Sequence, residues 1–330
     1  VDFDLSDLQT SCRTRAGALG RELALDASAP EAIAGASRAG LLDPGLDLLG
    51  VAVAVEALAF EHASAAIAFA LHGSVLRSIV HAADPVDRDV RAALAGGTAV
   101  GALAMSSDEV PVEDDGRLTG RASWVAPLTG GGFVMVGARG ASGSLMAWLT
   151  RLDAPGVRVE PVAAAGLRGL VCGHVSLVQV AAIPLGATQP VMGGVRILLA
   201  AAGLGMGRRA MRESLEAARA YGRTGAGGEQ TAQGLLADAA TELDAAKLLT
   251  WKAASASTVS LAEASMAKLA ATEATQRAVA RATQIVGSES FRDGHPIGRL
   301  ARDVRALELF AGRTEALREA VALDTLPRPD

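Results

Sequence analysis

The apolar pattern of this chain changes period twice, and that double switch limits the architectures open to it. Up to about residue 95 the apolar residues come in long runs. Val51-Ala-Val-Ala-Val-Glu56-Ala-Leu58-Ala-Phe60 and Ala65-Ala-Ile67-Ala-Phe69-Ala-Leu71 suit buried helices better than strands. Asp84-Pro85 and Asp87 interrupt the pattern, and Asp84 is placed to cap a helix over Val86 to Leu94. Between about Gly97 and Pro190 the runs shorten and become β-branched: 133–136, 145–149, 157–162 and 175–180. Gly130-Gly131-Gly132, Asp153-Ala-Pro155-Gly156 and Gly166 punctuate them, which is the pattern of a small β-barrel or sandwich. From Met192 the helical stripe returns through Leu204, Met211, Leu215 and Ala218, then Leu235, Ala239, Leu243 and Ala246. Two more helices are expected over Leu261–Ile285 and Leu300–Leu323, which completes a bundle. The expected fold is α+β and mainly helical. An N-terminal helical domain spans 1–96, a middle β-domain 97–190, and a C-terminal four-helix bundle 191–330.

Composition narrows the function. Half of the 330 residues are hydrophobic, enough for a large core, and the aromatic share of 3% implies helices packed through alanine. A net charge of −5 argues against a nucleic-acid-binding surface. The two cysteines, Cys12 and Cys172, lie far apart, which fits a reducing cytoplasm and supplies no metal site. His62 and His72 could share a helix face, but no carboxylate or thiol completes a metal set. The apolar stretch Val191–Met206 is broken by glycines and Arg196, so no membrane span is expected. The acidic Val1-Asp2-Phe3-Asp4 lacks a signal-peptide pattern. A cytoplasmic location is the expectation. Gly203-x-Gly205-x-Gly207 lies inside a helical pattern and reads as close helix packing rather than a phosphate loop. Arg208, Arg209 and Arg212 form a basic face, read as solvated, with contact to an acyl-CoA phosphate as the alternative.

Helices, then strands, then a helical bundle is the order of the acyl-CoA dehydrogenases, and local motifs carry the same resemblance. Glu56-Ala-Leu-Ala-Phe-Glu-His-Ala-Ser64 resembles the family's EELAR-x-D-x-S stretch. Gly166-Leu167-Arg168-Gly169 with the run to Ile183-Pro184 is similar to GLRG…V-x-VP. Ser265-Met-Ala-Lys268-Leu269 followed by Gln284-Ile-Val-Gly287 resembles AAMAKL…QI-x-GG, and Arg299-Leu-Ala-Arg302-Asp303-Val-Arg305 resembles RLxRDxR. The resemblance covers nearly the whole chain and rests on the number, order and spacing of these motifs.

The resemblance implies a chemistry. In that family a carboxylate takes the α-proton of an acyl thioester while the β-hydride passes to a flavin, and the base must sit within hydrogen-bonding reach of the α-carbon. The base usually lies in a YEGT segment after RLxRD; here that segment is Phe310-Ala311-Gly312-Arg313, so the base position falls on Ala311. A minority of the family carries the base immediately before an arginine, and here the pair is Val195-Arg196. Neither position holds a carboxylate. Glu308 and Glu315 flank the lost site but, on a continuous helix, stand about one turn away, ~5 Å.

Flavin contacts follow the same residue-by-residue transfer. Ser106, in Met105-Ser106-Ser107-Asp108-Glu109, and Trp124, in Trp124-Val125-Ala126, match the loop and the WIT segment that hold the flavin; the WIT threonine has become Ala126. Arg223, Gln284 and Gly287 match the residues that a neighbouring subunit turns toward the flavin nucleotide. For Trp124 the competing reading is a core position, and for Arg223 a structural ion pair. The family's substrate position next to the second base site falls on Arg196.

The resemblance therefore implies FAD shared at a subunit interface, an acyl-CoA substrate, and a second dehydrogenase subunit that carries the glutamate. The pattern resembles the base-lacking subunit of the heteromeric (α2β2) acyl-CoA dehydrogenases of actinobacteria, where sterol side chains are degraded. Two alternatives stay open. One is a self-sufficient dehydrogenase that uses Glu308, Glu315 or Glu289 as base; the other is the scaffold reused for different flavin chemistry.

Overall fold

The computed structural model describes residues 4–82, 84–104, 110–140, 143–220 and 228–326. Five helices open the chain: α1 (Asp7–Glu22), α2 (Ala29–Arg38), α3 (Leu48–Glu61), α4 (Ala63–Val80) and α5 (Arg88–Ala95). Their starts are set by side chains. Ser6 and Ser28 form capping boxes with Gln9 and Glu31, and Asp47 accepts from the Gly50 amide. The cap of α5 is Asp87 rather than the expected Asp84. Its carboxylate accepts from the amides of Asp89 and Val90, so the helix starts two residues later than the Asp84 reading placed it.

Eight strands follow: β1 (Gly101–Ala104), β2 (Val112–Asp114), β3 (Arg117–Val125), β4 (Phe133–Arg139), β5 (Leu145–Arg151), β6 (Val157–Val162), β7 (Cys172–Ala181) and β8 (Ile183–Ala187). They form one sheet in the order β6-β7-β3-β2-β4-β5-β8, with β1 pairing β4 in parallel and bridging Ala126, just past β3, through Leu103. The four strand runs read from the sequence fall in β4, β5, β6 and β7. Leu118, Val125, Val134, Val136, Val175 and Val180 fill a core that belongs to the sheet alone. Other sheet residues, Leu103, Phe133, Met135 and Leu149 among them, join the helical core.

The C-terminal part holds α6 (Thr188–Ala220), α7 (Gly228–Ala254), α8 (Leu261–Val286), α9 (Pro296–Leu309) and α10 (Thr314–Thr325), with a 3-10 turn over Gly287–Phe291. The expected helix over Leu300–Leu323 is thus two helices. A single apolar core runs from Cys12 and Ile33 in the first helices through Phe69 to Leu204, Leu243, Val279 and Leu307, so the N-terminal helices and the bundle stabilise each other. The glycines of α6 let the helices approach. A Cβ on Gly205 would strike the Glu56 carbonyl and stand 2.8 Å from the Ala59 methyl; on Gly207 it would stand 2.6 Å from a Leu243 methyl. Helices α4 and α6 are long and apolar enough to cross a membrane, contrary to the reading of the sequence, but 78% of each apolar window is buried in this core.

His72 ties these layers. It is fully buried, with Nδ1 accepting from the Gly101 amide at 3.0 Å and Nε2 donating to the Leu94 carbonyl at 3.1 Å. Burial pushes its pKa down to about 4, so the folded chain keeps it neutral where the unfolded chain, near the ordinary 6.5, takes up a proton. Stability from this site is complete above pH 6.5 and is lost as pH falls toward 4, by about 3 kcal/mol. Urea denaturation of wild type and His72→Gln at pH 7 and pH 4.5 is expected to show the smaller pH dependence in the variant.

Candidate functional site

The break between α9 and α10 is where the structure departs most from the reading of its sequence. Phe310 leaves the helix with extended backbone, Ala311 adopts φ 55° and Gly312 φ 115°. A left-handed conformation costs a residue with a Cβ roughly 1–2 kcal/mol, so Ala311 is held there by its surroundings. Arg196 on α6 donates from Nε to the Ala311 carbonyl at 3.1 Å. Lys268 on α8 donates to the carbonyls of Gly312 at 2.8 Å and Glu308 at 3.3 Å. Ser265 on α8 completes the arrangement by accepting from Arg196 Nη1 at 2.7 Å. Arg196 therefore stands beside Ala311, the two sites to which the resemblance assigns a base brought together. Val195 itself is buried in the core.

Each of the flanking glutamates is either engaged by other side chains or exposed. Because the helix is broken, spacing along one axis no longer places Glu308 and Glu315 relative to Ala311. Glu308 is anchored instead: Gln276 donates to its Oε2 at 2.7 Å, Arg305 to the same oxygen at 3.2 Å and Thr314 to Oε1 at 3.1 Å. Partial burial raises its pKa, and these three bonds outweigh that and hold it below the usual carboxylate range, the wrong direction for a general base. Glu315 is exposed in the first turn of α10, and Glu289 pairs with Arg292 in the 3-10 turn.

Lys268 carries a role that the sequence reading did not assign. Ser265, Lys268, Thr272 and Thr275 recur at helical spacing on α8, and all four are buried. A lysine in a buried stripe was the available signal. Burial, with Arg196 nearby, brings its pKa down to about 7. Burial also lowers the pKa of Arg196, whose guanidinium has no carboxylate partner within 4 Å among the described residues.

The cofactor-facing residues separate into two groups. Ser106 and Arg223 lie outside the described residues. Trp124 is 55% exposed, which sets aside the core alternative. With φ 56° it projects from β3, edge-on to His174 at 6.1 Å between ring centroids. Gln284 is exposed near the end of α8, and Gly287 ends that helix with φ 76°. Beside this turn a cavity of about 450 Å³ is lined by Thr283, Phe291, Arg292, His295 and Arg302 among others, with Phe291 83% exposed.

Two sequence motifs meet in space. The Leu167 amide of GLRG donates to Asp303 of RLxRDxR at 2.6 Å, and a Cβ on Gly166 would stand 2.5 Å from the Arg302 carbonyl. The basic face of Arg208, Arg209 and Arg212 is part-exposed, and its charges are engaged by neighbouring side chains. Arg208 pairs with Glu56 at 2.9 Å, Arg209 with Glu61 at 3.4 Å, and Arg212 lies 4.4 Å over the Phe60 ring. His62 caps α4 and reaches the Ala24 carbonyl through Nε2, while His72 bonds Leu94 and Gly101, so the two rings serve backbone. Among the described residues no three His, Cys, Asp or Glu side chains gather as a metal set.

Residues 186–325 match the family profile described as acyl-CoA dehydrogenase, C-terminal domain. No curated protein sequence is significantly similar to the chain. Among solved structures, butyryl-CoA dehydrogenase from Megasphaera elsdenii superposes with a TM-score of 0.84 over 99% of this chain and 100% of that one, at 20% identity. Nitroalkane oxidase from Podospora anserina gives 0.85 over 99% and 97%, at 22% identity. Glutaryl-CoA dehydrogenase from Mycobacterium smegmatis gives 0.83 over 97% and 95%, at 18%. At these identities the likeness establishes the fold, which is acyl-CoA dehydrogenase-like.

Lys268 makes the clamp measurable. Between pH 7 and its ordinary 10.5 the unfolded chain holds a proton on this lysine that the folded chain does not. Stability from this group therefore rises with pH across that window, by up to about 5 kcal/mol. Denaturation midpoints at pH 7 and pH 9.5 are expected to rise more for wild type than for Lys268→Met.

Proposed function

We propose that this chain is a subunit of a flavin-dependent acyl-CoA dehydrogenase complex in which a second chain carries the catalytic glutamate. The observation that carries this reading is the break at 310–313: its left-handed backbone and its buried donors are in place, while the residue they present is an alanine. A methyl group accepts no proton, and Glu308, the glutamate nearest to it in sequence, is held by three other side chains.

The residues present fit a flavin in part. Trp124 offers an exposed aromatic surface on the sheet, and Gln284 with the Gly287 turn offers polar groups beside a cavity whose lining includes two arginines, Arg292 and Arg302, and one carboxylate, Asp293. The adenine nucleotide half of an FAD held by the partner would lie against that second surface. When bound, the flavin supplies the hydride acceptor. Within such a complex this chain excludes water from the shared interface and orients the nucleotide, and the partner's carboxylate removes the α-proton. A cytoplasmic location belongs to this proposal. The self-sufficient reading is disfavoured by the low pKa of Glu308 and the exposure of Glu315.

Restoring the base tests it. With FAD supplied in excess, because the lone chain is not expected to retain it, the chain mixed with saturated acyl-CoA thioesters is expected to bleach the flavin about 10²–10⁴-fold faster as Ala311→Glu than as wild type. Equal, rapid bleaching by both proteins would mean that this chain already holds a base, and would send the search to its other carboxylates.

A further inference from the structure

Arg196 and Lys268 stand side by side at the 310–313 break, and below pH 7, where Lys268 holds its proton, both are cations whose hydrogen-bond partners are all neutral. Arg196 is 8% exposed and Lys268 fully buried. Their partners are three carbonyl oxygens and one hydroxyl, those of Glu308, Ala311, Gly312 and Ser265. A backbone clamp needs donors but not charge, and a buried cation without a counter-ion is costly. Glu308, the carboxylate that acts on Lys268 through space, directs both oxygens to Gln276, Arg305 and Thr314.

Donors remain to be used. A guanidinium carries five N–H groups and an ammonium three. Nε and one Nη1 proton of Arg196 are engaged, as are two of Lys268, which leaves three and one. Gly312 lies directly against the guanidinium, since a Cβ there would stand 3.2 Å from Nη2. One turn along the same face of α8, Thr272 is 4% exposed and its Oγ1 has no hydrogen-bond partner.

We infer that Arg196 and Lys268 form a binding site for a small carboxylate, which enters at the Gly312 side of the break and accepts from the spare guanidinium and ammonium protons. The inference depends on the functional reading only for the statement that this is the vacated base position. A bidentate carboxylate on Arg196 supplies the missing negative charge and leaves the clamp on Ala311 intact. The ligand class is then a short carboxylic acid, or a substrate that ends in one, rather than a neutral acyl group.

The chain has three lysines, Lys247, Lys252 and Lys268, so ¹⁵N-lysine labelling isolates the buried one. Titrating the purified chain with butyrate at pH 6, where Lys268 holds its proton, and at constant ionic strength, is expected to move the Lys268 ammonium resonance in a saturable way. Butyramide, the neutral match in shape, is expected not to move it. Arg196→Met should abolish the butyrate response and Arg196→Lys should retain part of it. A response to butyramide equal to that of butyrate, or none to either, overturns the proposal in the wild-type protein alone, whatever the variants do. The readout involves no flavin and no turnover, so its failure leaves the dehydrogenase reading untouched, and failure of that reading leaves this one standing.

Discussion

The carbonyls of Glu308, Ala311 and Gly312 lie where α9 stops, and a helix end leaves such groups without partners. Arg196 and Lys268 meet all three, from two different helices. That contact joins α6, α8, α9 and the turn before α10 at one point and holds Ala311 in a conformation that alanine avoids. Much of the rest of the fold serves to place it. Helix α6 runs through the middle of the shared core, close to α3 through Gly205 and to α7 through Gly207, so Arg196 is fixed by packing on several sides.

The charge of the clamp meets no carboxylate at residue 311, where the chain has alanine. Two buried positive groups beside an acidic residue make a balanced site; the same two groups beside a methyl do not. Lys268 responds by giving up its proton near neutral pH, a lysine far from its ordinary range. Glu308 cannot compensate, because its hydrogen bonds turn it toward Gln276 and Thr314.

Much of the architecture was legible because it follows period. The apolar runs around Val55 and Phe69 gave buried helices, and β-branched runs gave β4 to β7 where they stand. Legibility failed where a tertiary contact overrides a local pattern. Leu300, Val304, Leu307 and Leu317 keep an apolar rhythm across residues 310–313, which hides a break that Gly312 alone signals. Asp84 and Asp87 are equally good caps by type, and only the fold chose between them. Lys268 sat in a motif quoted for its likeness, yet its burial and its carbonyl partners come from α9 and the break, forty residues on. Trp124 stands out from β3 because of a positive φ that no composition rule foretells.

The central claim is that this scaffold works through a partner. The most direct measurement is the visible spectrum of the purified chain, alone and after co-expression with an acyl-CoA dehydrogenase chain that has the glutamate. Flavin retained only in the mixed complex, in proportion to the partner chain, is the predicted result. A full flavin complement in the lone chain, bleached by an acyl-CoA, would contradict the account.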